Sequence, residues 1–264
     1  MALIAPAGPV DDDMIERAVA RCRRLGFEPV PGASIRERSW YLAGPDRVRA
    51  ADLQWAIDGD VAGIWAIRGG YGTLRTLDHV DLRPLRERPR PFIGFSDNTA
   101  VHLALLDLGV VSFHGPHAGF EHFPAATEEA FRRVLMRPEP AGELTVPGHA
   151  RPTTIRGGRA EGPLVGGNLA LLAAVAGTPY QPETRGALLF IEELAEPFYR
   201  VDRMLTQLRL AGLLEGVAGV LLGEFADMPV EDDVGGPELD EVLADLLAPL
   251  GVPVVFGLPF GHDR

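Results

Sequence analysis

Short, unbroken apolar runs recur along this chain, and most are followed by a longer segment whose apolar residues return at helical spacing. The runs are Leu3-Ile4-Ala5, Val61 to Ile67, Pro91 to Gly94, Gly186 to Ile191, Val217 to Gly223 and Val252 to Phe256, and further strands are predicted at Phe27 to Val30 and Val110 to Phe113. Between them, helices are predicted from the Asp11-Asp12-Asp13 cap to Leu25, then over Arg47 to Asp58, Val101 to Leu108, Ala126 to Leu135, Leu169 to Val175, Arg200 to Leu210 and Gly236 to Leu250. In the second helix the apolar positions are Val48, Ala51, Leu53, Trp55 and Ile57. Strands that are apolar throughout are buried on both faces, the condition of a parallel sheet covered by helices. In such sheets ligands collect outside the carboxyl ends of the strands.

The chain has 264 residues, 46% of them hydrophobic, enough for one large core or two modest ones. Pro, Gly and Thr accumulate from Arg137 to Gly158, so we expect a first domain over 1–140, a linker or edge hairpin over 141–160 and a second domain over 161–264. A formal charge of −12, with no Lys/Arg-rich run, argues against nucleic acid as a partner. No stretch approaches a membrane span, and the proline-broken N-terminus lacks a basic leader, so a cytoplasmic protein is expected. Cys22 is the only cysteine, in an arginine-rich helical segment, and is assigned a structural role.

Pro91-Phe92-Ile93-Gly94-Phe95-Ser96-Asp97-Asn98-Thr99 passes from strand residues through glycine into a polar tetrad and then a helix. A serine on such a turn is held above the sheet edge beside unpaired helix N–H groups, which suits a nucleophile and an oxyanion. The same four residue types also make an ordinary N-cap, and Asn98 breaks the G-x-S-x-G elbow. A second carboxyl-end loop, Arg68-Gly69-Gly70-Tyr71-Gly72, lets backbone approach a ligand closely and offers a further N–H donor, or is simply a tight turn. His114 is taken as a supporting loop donor. Glu192-Glu193 closes one later strand, as helix cap or site residue, Glu224 stands at the tip of the next, and Gly261-His262 lies near the last residue. Ser, Glu and His in this order supply a nucleophile, an orienting acid and a general base.

These blocks resemble the L,D-carboxypeptidases, a serine peptidase family that includes muramoyltetrapeptide carboxypeptidases and microcin C self-immunity peptidases. The resemblance rests on Ile4-Ala5-Pro6-Ala7, Arg68 to Gly72, Gly94-Phe95-Ser96-Asp97, Gly166-Gly167-Asn168-Leu169 with Leu189-Phe190-Ile191-Glu192, and Phe256-Gly257 through Gly261-His262. It implies an α/β fold with an N-terminal doubly wound, flavodoxin/Rossmann-like parallel sheet and a smaller C-terminal α/β swivelling domain. It implies Ser96 as nucleophile, His262 as base, Glu192 as orienting acid, and the N–H groups of Gly70 and Asp97 as the oxyanion hole, with neither metal nor cofactor. Glu192 is preferred to Glu193 because neighbouring strand side chains face opposite ways.

The implied reaction is hydrolysis of the amide to the terminal D-alanine of a murein tetrapeptide during cell-wall recycling, with Arg68 and Arg203 as candidates for the substrate carboxylate. The expected partners are a small peptide or muropeptide and a second copy of the chain in a homodimer, with no nucleic acid and no membrane. Two alternatives stay open: hydrolysis of an aminoacyl-nucleotide, for which Trp40 or Tyr41 would stack on a base, and a non-catalytic nucleotide or sugar-phosphate binding module. Family members continue beyond the histidine block, so His262 is expected to lack its supporting strand and loop, to be mobile, and to lie beyond hydrogen-bond reach of Ser96.

Overall fold

The computed structural model describes residues 1–143, 151–229 and 236–262, and the chain divides into two compact units, Met1–Pro147 and Gly148–Arg264. In the first unit the order is β1 (Ala2–Ile4), α1 (Asp12–Arg24), β2 (Val30–Pro31), α2 (Asp46–Asp58), β3 (Ile64–Ala66), α3 (Pro84–Glu87), β4 (Phe92–Gly94), α4 (Thr99–Asp107), β5 (Phe113–His114) and α5 (Ala125–Leu135). The five strands form one parallel sheet in the order β2-β1-β3-β4-β5. This is the flavodoxin-like doubly wound order, whose direction reverses between β1 and β3 and leaves a crevice there at the carboxyl edge.

One face of that sheet packs Leu3, Trp65 and Ile93 against Ile15, Ala18 and Cys22 of α1 and Phe131 of α5. The Trp65 ring stacks on Phe131 at 4.8 Å, and its indole N–H donates to Pro116 O at 2.7 Å, so the largest core side chain is also polar-satisfied. Burial pushes the Cys22 thiol up to about 11, which keeps it protonated. On the other face, Phe92 meets His102 of α4 edge-on. Asp11 starts α1 by accepting from Met14 N at 2.7 Å, and Asp12, Asp13, Arg21, Arg23 and Arg24 complement its dipole.

The expected face of α2 is corrected. Arg49, Ala50, Asp52, Leu53, Ala56 and Ile57 are buried, whereas Ala51 and Trp55 are exposed. Two charged residues share the core-facing stripe because each saturates backbone groups of neighbouring loops, as described below for Arg49. Asp52 accepts from Ala33 N, Ser34 N and the Ser34 hydroxyl at 2.6–3.1 Å.

The second unit runs β6 (Thr153–Arg156), β7 (Leu164–Asn168), α6 (Leu169–Val175), β8 (Leu188–Leu194), α7 (Phe198–Leu210), β9 (Gly219–Ala226), α8 (Leu239–Leu247) and β10 (Val254–Phe256). Its sheet is mixed, in the order β6-β10-β9-β8-β7, with only β6 antiparallel. Consecutive neighbours joined by right-handed crossovers place their helices on one face. Accordingly α6 packs on α7 and α7 on α8, over a core that includes Leu172, Leu189, Ile191, Val201, Leu205, Leu222 and Leu243. Part of the expected linker or edge hairpin is an edge strand, Thr153–Arg156; its residues 144–150 lie outside the described ones. Among the described residues, no helix is long and apolar enough to cross a membrane.

Candidate active site

In the first unit, β4 delivers the chain into Ser96, whose φ of +59° is left-handed, and a 3-10 turn over Ser96–Asn98 leads into α4. A non-glycine residue held there costs of order 1–3 kcal/mol, a strain found where a side chain must be displayed. Gly69 closes over this turn: a Cβ added to it would lie 3.1 Å from Ser96 Cβ, 3.3 Å from Ser96 Oγ and 3.0 Å from His117 Cε1. The glycine loop is in turn tied to the loop after β1. Gly8 N donates to Gly69 O at 3.0 Å, and Arg68 Nη1 donates to Pro9 O at 2.9 Å. Gly70 and Gly72, at φ +110° and +123°, make the bends that only glycine makes freely.

The remaining residues of the tetrad lock the two loops together. The buried carboxylate of Asp97 accepts from Thr73 N at 2.7 Å. Burial pushes this carboxyl up, and Thr73, the Gly72 amide and the Arg49 charge pull against that shift. Asn98 Nδ2 donates to Phe95 O at 3.2 Å and to Arg68 O at 3.4 Å. His117, on the loop after β5, brings Nε2 to 3.0 Å from Asn98 Nδ2 and 3.1 Å from Phe95 O while its ring packs on Phe95. Arg49 donates to Gly44 O and Gly72 O at 3.1 and 2.8 Å, and also to Pro6 O and Asp46. Sequence reasoning missed both His117 and Arg49. His117 lies outside any periodic segment, but a charged Arg49 in helical register with Leu53 and Ala56 was a readable signal.

In the second unit Glu192 and Glu193 end β8 beside an irregularity in its pairing with β9. Both are buried, at 0% and 2% exposure. Their partners separate them. Glu193 accepts from Asn168 Nδ2, Ala170 N and Leu194 N, each at 2.8 Å, and so fastens the start of α6. Burial pushes its carboxyl up despite these bonds. Glu192 Oε2 accepts from His262 Nδ1 at 2.6 Å, an arrangement that leaves basic character on Nε2.

His262 is not unsupported, contrary to the expectation drawn from its place in the chain. Its side chain is 11% exposed, and the preceding segment runs along β9 through Leu258 N to Leu222 O at 3.0 Å and Glu224 N to Phe260 O at 2.8 Å. Gly223 admits Phe260 where any Cβ would collide with it, and Gly261 at φ +133° packs on Glu224. Arg203, on α7, lies with its guanidinium 5.4 Å from the Tyr199 ring centroid. It shares a groove with Ala176, Gln181, Thr206 and Gln207, a surrounding different from that of Glu192 and His262.

Comparison with known proteins assigns both units. Residues 1–115 match the LD-carboxypeptidase N-terminal domain and residues 161–264 the LD-carboxypeptidase C-terminal domain. A putative carboxypeptidase of Streptomyces coelicolor is 43% identical over 99% of this chain and 84% of its own length. A probable murein peptide carboxypeptidase of Bacillus subtilis is 36% identical over 98% of this chain and 82% of its own. The crystal structure of a muramoyltetrapeptide carboxypeptidase from Oxalobacter formigenes superposes with a TM-score of 0.85 at 35% identity, covering 99% of this chain and 89% of that one. The chain belongs to the LD-carboxypeptidase family of serine peptidases.

Proposed function

We propose that the protein removes the terminal D-alanine from cytoplasmic murein tetrapeptides by hydrolysing the amide between an L-centre and that D-residue. The observation that carries this reading is the left-handed Ser96 at the end of β4 with the glycine loop packed against it. The names of the related murein peptide and muramoyltetrapeptide carboxypeptidases support the choice of substrate.

In the proposed reaction the Ser96 hydroxyl attacks the scissile carbonyl and His262 Nε2 takes its proton, then returns it to the departing amine of D-alanine. Glu192, bonded to Nδ1, fixes the tautomer that makes Nε2 the base and stabilises the imidazolium formed during attack. The N–H groups of Gly70 and Asp97 receive the developing oxyanion, on loops already braced by Asp97 and Arg49. Water activated by the same histidine releases the acyl group and regenerates the serine. Arg68, on the glycine loop, is the better candidate for the substrate's free carboxylate than Arg203.

The test is release of free D-alanine from tetrapeptide by the purified protein. Ser96→Ala is expected to remove turnover, by a factor of at least about 1,000, while leaving the fold intact. Retention of more than a small fraction of the wild-type rate in that variant refutes the assignment.

A further inference from the structure

Trp40 and Tyr41 occupy the tip of a two-residue turn in which Ser39 and Leu42 exchange both backbone hydrogen bonds, each at 2.9 Å. Trp40 takes φ +56°, a conformation that favours glycine or asparagine and strains a bulky residue. The fold gains little burial in exchange, because Trp40 is 79% exposed. Nor is the turn a loose end. Leu42 and Ala43 are buried, and Ala43 N donates to Ala7 O at 2.9 Å, fastening the turn to the loop after β1.

Tyr71, between Gly70 and Gly72, meets Tyr41 edge-on with ring centroids 5.6 Å apart, and Trp40 lies 6.4 Å beyond Tyr41. Three half or more exposed rings thus stand in a row at the β1/β3 switch point. The row starts two residues from Gly69, the residue that packs on Ser96. Large apolar side chains held in the open at the rim of a site, one of them under strain, are there for a ligand.

We propose that Trp40, Tyr41 and Tyr71 form a stacking wall for the pyranose ring of a glycosylated peptide, the N-acetylmuramoyl end of the substrate; this rests on the reading of the protein as a murein peptide carboxypeptidase. A pyranose offers one apolar C–H face and a rim of hydroxyls, so an open aromatic wall takes the face while the hydroxyls stay in water. The neighbouring rings are tilted by 45° and 63° to one another, so the wall offers ring faces and edges to one side of a ligand rather than a parallel slot. In a muramoyltetrapeptide three residues separate the sugar from the last amide, about 10 Å when extended, so the sugar has to be met outside the glycine loop, and Tyr71, Tyr41 and Trp40 follow one another there with centroids 5.6 and 6.4 Å apart.

The experiment compares kcat/KM for bare tetrapeptide and N-acetylmuramoyl-tetrapeptide in wild type, Trp40→Asn and Trp40→Phe. Asparagine suits the left-handed turn, so a thermal midpoint no lower than wild type shows that the turn survives. Wild type is expected to prefer the sugar-bearing substrate roughly tenfold. Trp40→Asn should collapse that ratio toward one through KM, and Trp40→Phe should keep most of it. An unchanged ratio, an equal KM rise for both substrates or a fall confined to kcat overturns the proposal.

Binding is read separately by tryptophan fluorescence of the full-length Ser96→Ala protein titrated with N-acetylmuramoyl-tetrapeptide or with adenosine monophosphate, Trp40→Phe in that background being the blank. Trp40-dependent quenching by the muramoyl peptide without any D-alanine release by wild type refutes the activity and keeps the wall. Stronger quenching by the nucleotide refutes the sugar assignment.

Discussion

Replacing Gly69 by alanine tests whether the glycine loop positions the nucleophile. Gly69 lies outside the left-handed region, so its backbone accepts a side chain and the effect is steric. The new methyl would stand 3.0 Å from His117 Cε1, 3.1 Å from Ser96 Cβ and 3.3 Å from Ser96 Oγ. Carbon contacts settle near 3.5–4.0 Å, so Ser96 or the loop must retreat by about half an ångström. The loop is tied to Gly8 and Pro9, and Ser96 is held by its turn, so either retreat changes the separation between the hydroxyl and the loop amides. A misplacement of about 1 Å costs about 100-fold, which puts the expected loss of kcat at roughly 10- to 100-fold with KM little altered. Overpacking costs about 1–3 kcal/mol, a fall of a few degrees in the thermal midpoint. The assay is D-alanine release beside a melting curve, with Gly115→Ala as control, since a Cβ there meets nothing closer than 3.9 Å. Wild-type kcat in Gly69→Ala, or an equal loss in Gly115→Ala, would refute the reasoning.

The two glutamates of β8 should separate by readout. Glu192→Gln weakens the hold on His262 and should lower kcat by 100-fold or more, whereas Glu193→Gln disturbs two hydrogen bonds at the start of α6 and a third to Leu194 N, and should cost about 1–3 kcal/mol in urea unfolding with a smaller loss of rate; the reverse pattern exchanges their roles. Arg68→Ala should raise KM about 10- to 100-fold for a substrate with a free terminal carboxylate, and Arg203→Ala less than threefold, so equal KM values would remove Arg68 from carboxylate binding. Burial lowers the His102 pKa from 6.5 to about 4. The native state therefore stays neutral at this site while the unfolded chain takes up a proton as pH falls below 6.5. Stability from this group, full above 6.5, should drop by about 2 kcal/mol between pH 7 and 5, and His102→Gln should remove that part of the slope; parallel urea-midpoint profiles would show otherwise.

The sequence made the parallel architecture legible because strands buried on both faces carry no polar alternation, and it placed Ser96 because strand, glycine and helix follow one another within a few residues. What escaped it was set by contacts between distant residues. The buried stripe of α2 was misjudged because periodicity counts apolar residues, whereas Arg49 and Asp52 are buried through hydrogen bonds to loops tens of residues away in sequence or just preceding the helix. A linker and an edge hairpin stay indistinguishable in the sequence at β6 because Thr153–Arg156 is an exposed edge strand without an apolar face, paired to β10 about a hundred residues later. Support for His262 was invisible for the same reason: it comes from Glu192 and from backbone bonds to β9, not from its chain neighbours.

Backbone strain separates residues that shape turns from residues that serve a site. Left-handed bends that follow helices α1, α4, α6 and α7 are made by Gly26, Gly109, Gly177 and Gly212, where a change of direction is all that is required. Among the described residues, the non-glycines with positive φ are Trp40, Ser96, Ala195 and Asp227, and each lies in a segment following the carboxyl end of a strand. A glycine at any of these would relieve the bend, so strain alone argues against the residues found there. Ser96 carries a hydroxyl at the tip of β4, Trp40 an exposed indole, and Ala195 and Asp227 directly follow β8 and β9, the strands that hold Glu192 and the histidine segment. Stability has been given up at the carboxyl edges in both units, where ligands of parallel sheets are met.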